Sequence, residues 1–175
     1  MAVPSLFSPV KIGPRLRQQS FIGGALGANN PTRQLLKEAS AIFGPDRRVA
    51  QVLSIGSGLP RVVSIESSME DEGVYRLVKE IATDCEMVAQ ELSTRLYTID
   101  AYLRLNVDRG MELVSMTDWN ELGLIETHTA AYIATATVTR ALDTSVRHLK
   151  ERTGALTLAQ ISTYLTSDRN LCVYL

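Results

Sequence analysis

From Val49 to Ile55 the chain reads VAQVLSI, an almost continuously apolar and β-branched run that ends against Gly56-Ser57-Gly58. Successive side chains of a strand point to opposite faces, so a half-exposed strand alternates polar with apolar residues. A run with little alternation is the pattern of a strand covered on both faces, as in the parallel sheets of α/β proteins. The run is read as a central strand, and the chain as α/β with a mostly parallel sheet flanked by helices.

The rest of the chain supplies candidate helices and edge strands. Gln19 to Ile22 is read as a short strand at a sheet edge. Asn30 offers an N-cap oxygen, Pro31 suits the first helical position, and Leu35, Leu36, Ala39 and Ile42 follow at helical spacing up to Gly44-Pro45. Apolar residues from Val74 through Cys85 to Leu96 recur at intervals of three and four and predict one long helix. Ile99, Ala101, Leu103, Leu105 and Val107 alternate with polar residues, predicting a half-exposed strand. Thr117 reads as the cap of a second long helix with Leu124, Ile125, His128, Tyr132, Leu142 and Leu149 on its stripe. Residues 59–68 read as a loop and a candidate mobile element. Gly154 reads as a helix end, followed by the apolar run ALTLAQISTYL and a loose terminus. No internal repeat is found.

At 175 residues the chain has the size of one ordinary domain, and its 45% hydrophobic content suits a globular protein. Eighteen basic and nineteen acidic residues leave a formal charge of −1, so no electrostatic footprint of a nucleic-acid binder is present. The N-terminal segment lacks a secretory pattern and no apolar stretch is long enough to span a membrane, which predicts a cytoplasmic protein. Cys85 and Cys172 are too few for a disulfide framework and read as buried or indifferent thiols. His128 and His148 have no partner at metal-ligand spacing; His128 reads as a core or half-buried histidine and His148 as a helix-face residue.

Gly23, Gly24 and Gly27 precede the Asn30 helix start and could form an anion cradle, since helix N-termini present free amides. Their G-G-x-x-G spacing is not a dinucleotide fingerprint, and no lysine stands at the helix start; close backbone packing is the plainer role. Neither Ser57 nor Ser54 has glycines two residues away on both sides, the G-x-S-x-G spacing of a nucleophile elbow, so Gly56-Ser57-Gly58 reads as a tight turn.

The eleven residues FIGGALGANNP, Phe21 to Pro31, resemble the F-x-D-G-G/A-L-x-A-N-N-P segment of patatin-like phospholipases. VLSIGSG at Val52 to Gly58, YLRLNVDRGME at Tyr102 to Glu112 and IETHTAAYI at Ile125 to Ile133 are similar to later segments of fungal patatin-like proteins, in order, with Trp119 between the last two. The resemblance covers residues 1–151, as the C-terminal part of a patatin-like domain; 152–175 is an unassigned tail. It implies a partial three-layer α/β fold, a lineage that hydrolyses fatty acyl esters of phospholipids or related lipids, and no metal or other cofactor.

In that family the Asp of the motif completes a Ser–Asp dyad. Here Gly23 stands at its place, and Gly23, Gly24 and Ala25 are the motif's remnant. A serine hydroxyl needs an adjacent base to act as a nucleophile, and neither glycine has one. The nearest carboxylates, Glu38 and Asp46, lie beyond the Pro31 helix. The resemblance places the family's glycine-rich oxyanion loop and G-x-S-x-G turn before residue 1. The expectation is a chain with no catalytic residues, inactive alone, or a non-enzymatic binding or scaffold module derived from the same fold. Implied partners are a lipid or membrane-surface substrate in the full-length family, a second copy, or a matching N-terminal half; nucleic acid is not among them.

Overall fold

The structure is a computed structural model, and it describes residues 7–59, 71–96, 99–112, 114–115, 117–152, 154 and 156–166. In chain order its elements are β1 (Val10–Ile12), β2 (Gln19–Phe21), α1 (Ala25–Ala28), α2 (Thr32–Phe43), β3 (Arg48–Val49), β4 (Val52–Ile55) and α3 (Asp71–Ala82). They continue with α4 (Glu86–Leu96), β5 (Tyr102–Leu105), α5 (Leu122–Ile133), α6 (Ala136–Glu151), β6 (Leu156–Thr157) and α7 (Leu158–Thr166). The fold is mixed α/β. Contacts divide the chain into two compact units, Met1–Pro31 with Val63–Met87, and Thr32–Val62 with Val88–Leu175.

In the first unit β1 and β2 form an antiparallel hairpin, Val10 opposite Phe21. The short α1 follows, and α3 ends in a defined stop. The Thr83 hydroxyl donates to the Lys79 carbonyl at 2.9 Å, competing with the backbone for the helix's last acceptors. Two asparagines of the A-N-N-P segment grip the turn beyond: Asn29 donates to the Thr83 carbonyl at 2.7 Å and buried Asn30 to the Cys85 carbonyl at 3.0 Å.

In the second unit β4 and β5 pair in parallel, Val52 opposite Tyr102 through Ile55 opposite Leu105. The core gathers Leu36 of α2, Val52, Leu92 and Leu96 of α4, Tyr102, Leu156, Leu158 and Ile161. Leu156, Leu158 and Ile161 of the expected tail are therefore core residues. β3 pairs antiparallel with β6, Val49 opposite Leu156.

Several sequence expectations are corrected. VAQVLSI is not one central strand: the chain changes partner at Ala50-Gln51, β3 pairing with β6 and β4 with β5. Val52 and Ser54 are buried while Leu53 and Ile55 are exposed, so β4 is covered on one face. Sheet in the described residues comprises one parallel and two antiparallel pairs. The long helix over 74–96 is two helices, because Thr83 closes α3 and the Asp84 carboxylate caps α4, accepting the Glu86 amide at 2.7 Å and the Met87 amide at 3.4 Å. Cys85 thus lies in a linker, not a helix.

The long helix after Thr117 begins only at Leu122 and breaks at Ala134-Thr135, where Thr135 takes an extended ψ of 137° and its hydroxyl donates to the Tyr132 carbonyl at 2.9 Å. Helix α6 ends at Arg152, left-handed at φ 51°, so Gly154 is not its terminator. Gly154 serves close approach instead: a Cβ there would lie 2.7 Å from the Val49 carbonyl oxygen. Helix α2 starts at Thr32, one residue after Pro31. In the segment 99–107 the buried residues are Ala101, Tyr102, Asn106 and Val107, not one alternating face. The loop expected over 59–68 lies, beyond Leu59, outside the described residues, as does Cys172.

Candidate functional site

The carboxyl ends of adjacent parallel strands are where α/β folds place ligand sites, because chains diverge there and leave a crevice. In this chain the ends of β4 and β5 are laced together. The Gly56 amide donates to the Leu105 carbonyl at 2.8 Å and the Leu59 amide to the Val107 carbonyl at 2.9 Å. Between them the Gly58 amide donates to the Asn106 carboxamide oxygen at 2.7 Å. The Asn106 amide in turn donates to the Tyr132 hydroxyl of α5 at 3.2 Å.

Both glycines of Gly56-Ser57-Gly58 are required. A Cβ at Gly56 would enter the Asn106 carboxamide and come within 2.6 Å of the Arg104 guanidinium. Gly58 has φ +118°, which side-chain-bearing residues rarely adopt.

Above this lacing lies an open cleft of about 390 Å³. Its apolar walls are Val107, Met111, Val114, Trp119 and Ile125; Ser57, Ser115, Asp118 and Thr129 add polar atoms. Asp118 is engaged by its own turn: Oδ2 accepts the Ser115 amide at 2.9 Å and Oδ1 the Thr117 hydroxyl at 3.4 Å. No hydrogen bond joins Ser57 to Asp118 or to a histidine among the described residues. At about 390 Å³, with mostly apolar walls, the cleft falls in the size range of small-ligand sites.

The residues singled out by sequence are dispersed. Ser54 is buried under the sheet, its hydroxyl within 3.0 Å of Arg104 Nη1 and 3.5 Å of the Thr32 hydroxyl, and is structural. Ser57 is exposed at the cleft. His128 is half-buried with its imidazole packed on Gly110, and His148 stands in the last turn of α6. Cys85 is buried beside Glu86. Gly23, Gly24 and Ala25 lie where β2 passes into α1, a helix of four residues too short to focus an anion at its N-terminus. No group of three or more His, Cys, Asp or Glu side chains suited to a metal lies among the described residues, and none of the described helices is long and apolar enough to cross a membrane. Sequence reasoning missed Asn106 and Arg104, and it placed Tyr132 on an apolar helix stripe without its hydrogen bond to the Asn106 amide. Polar residues at alternating positions read as solvent-facing, and only the packing of α2 and α5 reveals that these are turned inward.

Fold and cleft together define a mixed α/β chain with an apolar, serine-lined depression at the carboxyl ends of a parallel pair. Comparison with protein families, with curated proteins and with solved structures finds no significant match.

Proposed function

We propose that this chain derives from the patatin-like lipid acyl hydrolases and binds an acyl-type ligand in the β4–β5 cleft without hydrolysing it. The observation that supports the reading most directly is convergence. Three separate segments that carry the resemblance supply the cleft: VLSIGSG gives Gly56 and Ser57, YLRLNVDRGME gives Val107 and Met111, and IETHTAAYI gives Ile125 and Thr129. Trp119, between the last two, stands on the rim.

Hydrolysis needs a nucleophile, a base within hydrogen-bond reach and donors for the developing oxyanion. Among the described residues Ser57 has no hydrogen-bonded base, and Gly23 stands where the resemblance places the family's aspartate. The chain is read as a binding member of a hydrolase lineage, and a three-layer patatin-like architecture is part of that proposal.

Trp119 is the chain's single tryptophan and so reports on the cleft alone. Titration with oleate or lysophosphatidylcholine below micelle formation should shift its emission to the blue in a saturable way, and Met111→Asp should abolish the shift. Turnover of p-nitrophenyl butyrate should stay at background. An unresponsive Trp119 would overturn the binding half of the reading; fluorophosphonate labelling of Ser57 with loss of a measurable rate would overturn the non-catalytic half.

A further inference from the structure

We infer that the outer edge of β4 pairs antiparallel with the same edge of a second copy of this chain, about a two-fold axis through Ser54. The Val52 and Gly56 amides both donate toward β5, to the Ala101 and Leu105 carbonyls at 2.8 Å. Backbone groups alternate along a strand, so the amides and carbonyls of Leu53 and Ile55 point the other way. Among the described residues β4 has β5 as its strand partner, and no strand lies on that outer side.

The edge carries none of the devices that keep exposed strands from pairing, such as lysine, proline or a bulge. Its side chains are Val52, Leu53, Ser54 and Ile55, with Leu53 41% and Ile55 73% exposed. The opposite margin of the sheet differs: β5 carries Arg104, and the amide of Asn106 is taken by Tyr132.

A second copy fits for reasons of register and charge. In an antiparallel pair, opposed residues share a face, and those whose backbone groups point at the partner exchange two hydrogen bonds. Centring the axis on Ser54 sets Leu53 opposite Ile55 of the second copy, and the symmetry repeats the pair. Both are outward-pointing residues and both lie on the exposed face, so the register satisfies hydrogen bonding and apolar contact together. A shift of one residue would oppose Leu53 to Ser54, which points to the other face. No charged residue lies on β4 or immediately beside it, at Gln51 or Gly56, so two copies meet without opposed like charges.

Sedimentation equilibrium of the unsubstituted chain at micromolar and higher concentration should show a dimer. Ile55→Pro removes an amide that faces outward, where a strand tolerates proline; it should leave a monomer with unchanged circular dichroism. Register is tested without proline. Opposed residues in a hydrogen-bonded pair sit about 5.5 Å apart at Cα, within disulfide range. A mixture of Leu53→Cys and Ile55→Cys chains should therefore cross-link on mild oxidation far faster than either alone, with the unsubstituted chain as the blank for Cys85 and Cys172. If Ile55→Pro fails to fold, this cross-link decides. A chain that stays monomeric overturns the inference and leaves the edge to a strand of another protein. A dimer that survives folded Ile55→Pro, or one without the mixed cross-link, overturns it as well.

Discussion

The carboxamide oxygen of Asn106 accepts the Gly58 amide at 2.7 Å, tying the turn after β4 to the end of β5. The same residue's amide reaches Tyr132 of α5. Asn106 thus ties the segment after β4 through its side chain and α5 through its backbone amide. Asn106→Ala should lower stability by about 1–3 kcal/mol, the cost of leaving a buried partner unmet. In urea the midpoint should fall with the slope unchanged; an unmoved midpoint would show that the turn is held by other contacts.

Gly110 has φ +85°, and a Cβ there would enter the His128 ring. Gly110→Ala should destabilise by about 2–4 kcal/mol, from left-handed strain and overpacking together. In a His128→Ala background only the strain should remain, roughly 1–2 kcal/mol. Equal effects in both backgrounds, measured as a double-mutant cycle, would mean that the histidine moves aside freely.

Asp84→Ala removes the side-chain acceptor for the first amides of α4 and should cost about 1 kcal/mol. Asp84→Asn, which keeps an acceptor oxygen, should recover most of it. Thermal unfolding of the three proteins distinguishes capping from a mere change of charge.

Asn30→Ala deprives the buried Cys85 carbonyl of its 3.0 Å donor, with an expected loss of about 1–3 kcal/mol. Protection of the α3–α4 linker against hydrogen exchange should fall more than that of β4. A uniform fall would place the role of Asn30 in global stability.

Gly23→Asp should not create esterase activity. A carboxylate without a nucleophile turn and oxyanion donors supplies the smaller part of acyl-transfer catalysis. A rate above background on p-nitrophenyl butyrate, lost again in Ser57→Ala, would show that Ser57 is reachable by a base.

Much of the local structure was legible in the chain. Gly44 closes the helix opened after Pro31, Gln19–Phe21 forms a strand within the expected Gln19 to Ile22, and Gly58 takes the positive φ expected of the Gly-Ser-Gly segment, which bends rather than turning tightly. Each depends on backbone preferences that act over a few residues. Helix periodicity was also visible, but it did not count the helices. Thr83-Asp84 and Ala134-Thr135 interrupt two apolar stripes through side-chain hydrogen bonds that periodicity does not register.

The sequence by itself determined an α/β chain and the glycines at its turns. Tertiary structure decided the rest. VAQVLSI is apolar throughout, yet which residues are covered depends on β4 finding β5 while β3 finds β6, two pairings whose partners lie far away in the chain. Asn106 and Arg104 look like solvent residues until α5 and the β4 turn close over them. Burial and hydrogen-bond partnership are properties of neighbours brought together by folding, so an alternating pattern marks two faces without saying which of them meets the core.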